Sequence, residues 1–344
     1  MARRRHALVA LLAAAGLLGA ALVPAAAALQ PDGLTPRAAA VSAPVATPAA
    51  TSKARNKQKL YVNPDTQAAA AASKARGGTR TALRYIAKTP QAFWVGDWYS
   101  GATTTKVVRT YTRAAKKKGQ TPVVVVYAIP GRDCGQYSSG GFATPAQYRA
   151  WIRRVAAGLK GTKALVVLEP DSLALECGDS TRDKLLAYAA KTLTKAGAWV
   201  YLDAGHSSWN SPATSAARLK RAGVAHARGF FTNVSNFRWT SKEKAYAKKV
   251  AAKLKKRGVG STHRNYVIDV SRNGKGPTKD NRWCNPRGRG LGVKPRMVAD
   301  KTGLDGLLWV KSPGESDGSC GEGFPEPGGF SVSLALELYR NRAR

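Results

Sequence analysis

Short apolar runs alternate with longer amphipathic stretches along most of the chain. Seven runs rich in β-branched and aromatic residues end abruptly in polar residues. They span residues 92–98, 122–133, 164–171, 198–206, 229–236, 265–274 and 306–318. Stretches of helical periodicity lie between them, and three of these, 144–160, 180–197 and 240–258, run into basic residues and Gly. Near-continuous apolar strands that alternate with helices predict a parallel sheet covered by helices on both faces.

About seven strand–helix units of this kind predict an α/β fold. No nucleotide-type glycine fingerprint follows the first run, so a closed or nearly closed parallel β/α barrel is favoured over an open doubly wound sheet. In either architecture the polar residues at the carboxyl ends of the strands face one common site.

Four aspartates follow apolar runs in this way: Asp133, Asp171, Asp203 and Asp317. Two carboxyl groups in one cleft suit cleavage of a glycosidic bond, because one donates a proton while the other assists the attack of water. Asp171, after "LVVLEP", is the best candidate for the acid, since an apolar strand behind it and a neighbouring carboxylate both raise a pKa. The alternative is that Asp171 caps the N-terminus of a helix that begins at "SLALE".

Tryptophans are concentrated near the predicted strand ends, where their rings suit stacking on sugar faces. They are Trp94, Trp98, Trp209, Trp239, Trp283 and Trp309. Trp309, inside "LLWV", is expected in the core. Trp94, Trp209 and Trp283 are the better sugar platforms.

The N-terminal segment has the composition of an export signal. Residues 1–28 contain three consecutive arginines, an apolar stretch and a small-residue cleavage region, which predicts a secretory signal peptide, with an uncleaved membrane anchor as the alternative. Residues 29–58, rich in Ala, Pro, Ser and Thr, are expected to be a linker or disordered tail. One domain, residues 59–344, follows. We therefore expect a secreted, extracellular protein.

Four cysteines, Cys134, Cys177, Cys284 and Cys320, are expected to form two disulfides in an oxidising compartment. Three pairings are possible. The sequential pairing closes two loops of about forty residues, each contributing roughly 2–4 kcal/mol. A structural zinc site is disfavoured because no closely spaced CxxC pair is present.

The formal net charge of +36 is extreme. The part after residue 58 holds 49 Lys or Arg against 19 Asp or Glu, a charge of +30, so the excess lies on the folded domain. A solvated basic surface is the simplest interpretation, and weak binding to anionic polymers is a second. A nucleic-acid binder would rest on charge alone.

Seven motifs, in order, together resemble glycoside hydrolase family 6, a family of cellulases. They are "YAIPGRDCGQYSSGG", "LEPDSL", "YLDAGHSSW", "TNVSNFRWT", "IDVSRNGKGP", "WCNPRGRGLG" and "LWVKSPGESDG". The resemblance covers about residues 61–320 and implies a distorted, incomplete, TIM-like parallel β/α barrel with the sequential disulfide pairing. The strand around Trp94 matches the family only loosely.

The resemblance also implies catalytic roles. Asp171 would be the general acid, and Asp133 would raise the pKa of that acid and help to organise the attacking water. Tyr127 would press on the distorted sugar, and Ser139, on a mobile loop, would help to hold the water. Asp317 would be the candidate base.

A further set of side chains is expected to bind substrate. They are Trp94, Asp203, His206, Trp209, Asn236, Trp239, Lys311 and Glu315. Asp203 would bind sugar or support the acid, while His206 and Trp209 would line the next subsites.

The function expected is that of a monomeric, inverting endo-β-1,4-glucanase that acts on cellulose or related β-glucans without metal or cofactor. The domain of about 286 residues is compact for the family, which favours an open cleft and internal cleavage. The alternatives are an exo-acting cellobiohydrolase of the same family and a non-catalytic, basic polysaccharide-binding protein on this scaffold.

Overall fold

The computed structural model describes residues 58–298, 302–320 and 322–343. Its strands form one sheet. They are β1 Phe93–Gly96, β2 Val123–Tyr127, β3 Leu165–Leu168, β4 Trp199–Asp203, β5 Gly229–Thr232, β6 Asn265–Asp269, β7 Arg296–Met297 and β8 Leu304–Leu308. The spatial order is β1-β2-β3-β4-β5-β6-β8-β7, with all neighbours parallel except the β7–β8 pair. Six of the seven apolar runs therefore contain a whole parallel strand, as the pattern predicted, and the seventh, 306–318, begins within β8.

Helices cover the outer face of this sheet. They are α1 Gln67–Lys74, α2 Gly77–Ala87, α3 Gly101–Lys117, α4 Pro145–Leu159, α5 Ser180–Lys195, α6 Pro212–Arg221, α7 Thr240–Lys256 and α8 Val332–Arg340. Helix α4 begins with a capping box, in which Thr144 accepts from the Gln147 amide and Pro145 occupies the first turn. The three helical stretches named from the sequence are α4, α5 and α7.

The sheet curls until its two ends nearly meet. The Ala92 amide donates to the Trp309 carbonyl at 2.9 Å, and Trp94 Nε1 donates to the Val310 carbonyl at 2.9 Å. Within the described residues no ladder joins β1 to β8. This is a distorted, incomplete parallel β/α barrel, and the predicted fold class is confirmed.

Alternation along the strands separates two apolar layers. Val123 and Val125 of β2 belong to a cluster inside the curl of the sheet, while Val124 and Val126 pack into the larger cluster beneath the helices. Burial on both faces, under the helices outside and within the curled sheet itself inside, explains why the strands read as continuous apolar runs rather than as alternating ones. The expectation of helices on both faces is therefore wrong for the inner face. Trp309 is buried in the larger cluster, as expected.

The predicted signal peptide, residues 1–28, and nearly all of the predicted linker, residues 29–58, lie outside the described residues, so those boundaries stay predictions. In the part of the chain that is described, every helix is too short or too polar to cross a membrane. The cysteines pair sequentially, as Cys134–Cys177 and Cys284–Cys320.

Candidate active site

A cleft of about 1050 Å³ opens at the carboxyl ends of the strands. Most of the side chains expected at the site line it. They are Trp94, Tyr127, Asp133, Ser139, Asp171, His206, Trp209, Asn236, Lys311, Glu315 and Asp317. Asp203 and Trp239 are not among the residues that line the cleft. The convergence of strand ends predicted from the sequence therefore brings together three of the four aspartates directly.

A turn with positive φ angles presents Asp171 to this cleft. Glu169 (φ 51°) and Asp171 (φ 69°) flank Pro170 directly after β3, in a conformation that costs energy for residues other than glycine. The buried Glu169 carboxylate anchors the turn by accepting from the Ala128 and Ile129 amides and from the Tyr148 hydroxyl. No helix begins at Asp171, so the helix-cap alternative is wrong.

The surroundings of Asp171 favour its neutral form. Burial raises the pKa of Asp171 well above its usual range, and the negative charges of Asp203, Asp133 and Asp317 raise it further. Lys311 opposes this shift. A carboxyl group in such surroundings holds its proton to higher pH than an exposed aspartic acid does, which is the property a general acid needs.

Asp203 lies beneath the cleft rather than in its wall. Its Oδ2 accepts from the Leu173 and Ala174 amides at 3.1 and 2.8 Å, and its Oδ1 accepts from the Gly205 amide at 2.8 Å. Burial raises the pKa of Asp203 to about 6, against these hydrogen bonds, which lower it. Of the two roles proposed for Asp203, its position fits support of the segment that follows Asp171.

The loop from 133 to 141 carries Asp133 and Ser139 and is held by a buried arginine. Arg132 pairs with Asp97 and donates to the Ser138 and Ser139 carbonyls at 2.8 and 3.1 Å. The Ser138 amide donates to Asp133 Oδ2 at 2.8 Å. Burial raises the pKa of Asp133, while this bond and Arg132 lower it.

Asp317 is a buried carboxylate between two cations. Arg272 lies at 2.8 Å and Lys311 at 3.4 Å, and the Asn285 amide donates to Asp317 Oδ2 at 3.1 Å. Burial alone would raise the pKa of Asp317, but the two cations and these hydrogen bonds hold it below its usual range. Asp317 is therefore an anion in the folded protein.

Aromatic rings line the cleft. Tyr127 and Trp94 make an edge-to-face contact at 5.4 Å. His206 lies 5.2 Å from the partly exposed ring of Trp209, and burial, with the charge of Arg238 nearby, lowers the pKa of His206 to about 3, so its imidazole is neutral. The aromatic faces of Trp94, Tyr127 and Trp209 suit stacking on sugar rings.

Two further aromatic side chains at the cleft contact each other: Tyr137, from the 133–141 loop, and Trp283 have ring centroids 5.7 Å apart. Glu315 also lines the cleft, and its Oε1 accepts from Gln67 Nε2 at 3.0 Å. Trp239 instead lies against Gly276 and is 48% exposed, outside the cleft lining.

Sequence reasoning assigned no role to several side chains that organise the site. They are Asp97, Arg132, Glu169, Arg272 and Asn285. The arginines inside "GRDCG" and "SRNG" were visible as members of motifs, but only the fold shows which carboxylate each one meets. Among the described residues, no group of three or more His, Cys, Asp and Glu side chains is arranged to hold a metal ion.

The arrangement places a carboxyl group with a raised pKa, a second carboxyl group on a loop and a fixed anion around one cleft with aromatic walls. Residues 55–334 match the model of the glycosyl hydrolases family 6. The chain belongs to this family.

Several proteins named as endoglucanases are similar in sequence or structure to this chain. Endoglucanase A of Cellulomonas fimi is 46% identical over 285 residues. The match covers 82% of this chain but only 61% of that relative's length. Endoglucanase 1 of Streptomyces halstedii is 40% identical, with 81% of this chain and 88% of the relative covered. The endoglucanase Cel6 of Mycobacterium tuberculosis, solved with a thio-linked methyl cellobiosyl-cellobioside, superposes with a TM-score of 0.77 at 42% identity and covers 83% of this chain and 98% of its own.

Proposed function

We propose that the protein is an endo-β-1,4-glucanase that hydrolyses internal bonds of cellulose or related β-glucans with inversion at the anomeric carbon. The observation that carries this proposal is the position of Asp171, half-buried in the cleft wall with its pKa raised well above its usual range. Family membership and the endoglucanase relatives support the substrate class.

Asp171 is the proposed general acid. It protonates the glycosidic oxygen as the bond to the anomeric carbon breaks, so that the leaving sugar departs as a neutral alcohol. The buried Asp203 holds the 173–174 backbone in place, which fixes the segment that follows the acid.

Asp133 and Ser139 are proposed to organise the attacking water, because both line the cleft on the loop held by Arg132. Asp317 is proposed to remain an anion that stabilises positive charge developing on the sugar ring. Since its pKa is low and Arg272 and Lys311 occupy its oxygens, it is a weak proton acceptor, and the role of simple base fits it poorly.

Secretion to the cell exterior and action as a monomer are also part of the proposal. The signal-like N-terminus and two disulfides support export.

Proton NMR of a soluble β-1,4-glucan during hydrolysis tests the proposal directly. We expect α-anomeric products to appear first, and solution viscosity to fall faster than reducing ends accumulate. Initial β-anomeric product would contradict inversion, and release of cellobiose without loss of viscosity would favour the exo-acting alternative.

Asp171→Asn tests the catalytic assignment. We expect it to abolish turnover of unactivated glucan while cello-oligosaccharide binding and the melting temperature stay unchanged. Near-normal turnover by this variant would exclude Asp171 as the acid. Glycan binding by the wild-type protein without any turnover would support the non-catalytic alternative.

A further inference from the structure

Charge is segregated between the two sides of the domain. Helices α1, α2, α3, α4 and α6 contain no Asp or Glu. The acids of the other outer helices are already engaged: Asp183 pairs with Arg221 at 3.0 Å, Glu337 pairs with Arg287 at 2.7 Å, and the buried Glu243 accepts from the Ser207 amide. Carboxylates are instead concentrated at the cleft. The helical face is therefore a nearly uninterrupted cationic surface.

A groove of about 450 Å³ lies on this surface between α3 and α4. Its walls carry four cationic side chains, Lys106, Arg109, Arg113 and Arg154, and no acid. Within the described residues, none of the four forms a salt bridge. The groove shares no lining residue with the cleft.

The groove is held in shape by contacts between the two helices. Thr105 and Thr112 hydroxyls donate to the Arg154 and Gly158 carbonyls, both at 3.0 Å. A Cβ at Gly158 would lie 2.6 Å from Val108 Cβ, so only glycine permits this close approach. The cationic side chains therefore project from a backbone that is already ordered.

The spacing of the cations suits a polymer with one charge per repeat. Lys106, Arg109 and Arg113 are exposed residues on one face of α3, separated along the axis by about 4.5 and 6 Å, close to the length of one pyranose unit. A guanidinium group pairs with a carboxylate through two parallel hydrogen bonds. Because an exposed ion pair is individually weak, useful affinity needs several such contacts on one ligand.

We propose that this groove is a binding site for an acidic polysaccharide that carries one carboxylate per sugar. The groove shares no lining residue with the glucan cleft. Its four cations would give part of the domain's excess positive charge a specific binding role. Its binding weakens as salt rises, because counterions are released when the charges pair.

The test compares two variants that each lose three positive charges. Lys106→Gln/Arg113→Gln/Arg154→Gln removes the groove cations and spares Arg109, whose Nη2 donates to the Ala157 carbonyl. The matched control, Lys248→Gln/Lys249→Gln/Lys253→Gln, removes three exposed cations of α7. Affinity for polygalacturonate is measured by calorimetry at low and physiological salt, with hydrolysis of a soluble neutral glucan as the control activity.

We expect the groove variant to bind polygalacturonate at least about tenfold more weakly and the α7 variant to lose less than about threefold, with both retaining glucan hydrolysis. Equal losses would mean that affinity follows net charge alone and would overturn the proposal. Absence of wild-type binding at physiological salt would also overturn it. Tighter binding of polyuridylate through the same three residues would assign the groove to nucleic acid and refute the polysaccharide.

Discussion

The Arg272–Asp317 pair offers a quantitative test of the site's electrostatics. Arg272 Nη1 lies 2.8 Å from Asp317 Oδ2, and the two side chains are only 4% and 5% exposed. Replacing Arg272 by Met retains an unbranched apolar stem but removes the positive charge. Asp317 then retains Lys311 at 3.4 Å as its remaining cation.

Coulomb's law at the 2.8 Å separation of Arg272 Nη1 and Asp317 Oδ2, with an effective dielectric constant near 20, gives an attraction of about 6 kcal/mol. In the wild-type protein the loss of hydration of both ions offsets much of this. In the variant the carboxylate stays buried without its first partner, so the free energy of unfolding should fall by about 3–5 kcal/mol.

The stabilisation by the Arg272–Asp317 pair should depend on pH in a defined direction. Arg272 helps to hold the pKa of Asp317 below its unfolded value, so the pair stabilises the protein above about pH 4, and this stabilisation is lost as the pH falls further. The difference in unfolding free energy between wild type and Arg272→Met should therefore be largest near neutral pH and shrink in acid. Urea denaturation across a pH series measures it.

Arg282→Met is the matched control. Arg282 pairs with Glu322 at 3.0 Å, but the side chains are 54% and 43% exposed, so we expect a loss of about 0–1 kcal/mol. Equal losses for the two variants, or a difference for Arg272→Met that does not change with pH, would refute the reasoning.

Three further predictions concern single side chains. Asp133→Asn removes a negative charge that raises the pKa of Asp171, so the alkaline limb of the kcat profile should move to lower pH; an unmoved limb would count against electrostatic coupling. Trp209→Ala should weaken cello-oligosaccharide binding roughly tenfold by calorimetry, whereas Trp239→Ala, outside the cleft, should not; equal effects would exclude Trp209 as a platform. Gly158→Ala should destabilise the protein by about 1–3 kcal/mol through overpacking, while Gly78→Ala, with open space around its Cβ, should be neutral or stabilising in thermal melts; the reverse order would contradict the α3–α4 packing.

The fold was predictable from sequence where a pattern is local. Seven apolar runs identified seven parallel strands because burial on both faces leaves no polar alternation. Strand β7 escaped detection because Arg296–Met297 has only two residues and exists through its pairing with β8. The start of β8 was missed for a related reason, since Asp305 interrupts the apolar pattern and is tolerated there by its 2.9 Å pair with Arg228.

The candidate site was predictable to the extent that carboxyl ends of strands converge. That rule brought Asp133, Asp171 and Asp317 to one cleft, but it could not separate Asp203, which follows its strand in the same way and turns inward to backbone amides. Nor could spacing reveal the partner of Arg132, because Asp97 lies 35 residues away in sequence. Long-range pairing of charges depends on tertiary geometry that local patterns do not encode.

Each disulfide lies next to a catalytic candidate. Cys134 directly follows Asp133 and is bonded to Cys177, in the segment after Asp171, while Cys320 lies three residues after Asp317 and is bonded to Cys284 beside Asn285. The first covalent link thus ties the 133–141 loop to the segment that follows Asp171. Because each link closes a loop that carries one of the proposed catalytic carboxyl groups, reduction of the cystines is expected to loosen the cleft as well as to destabilise the fold.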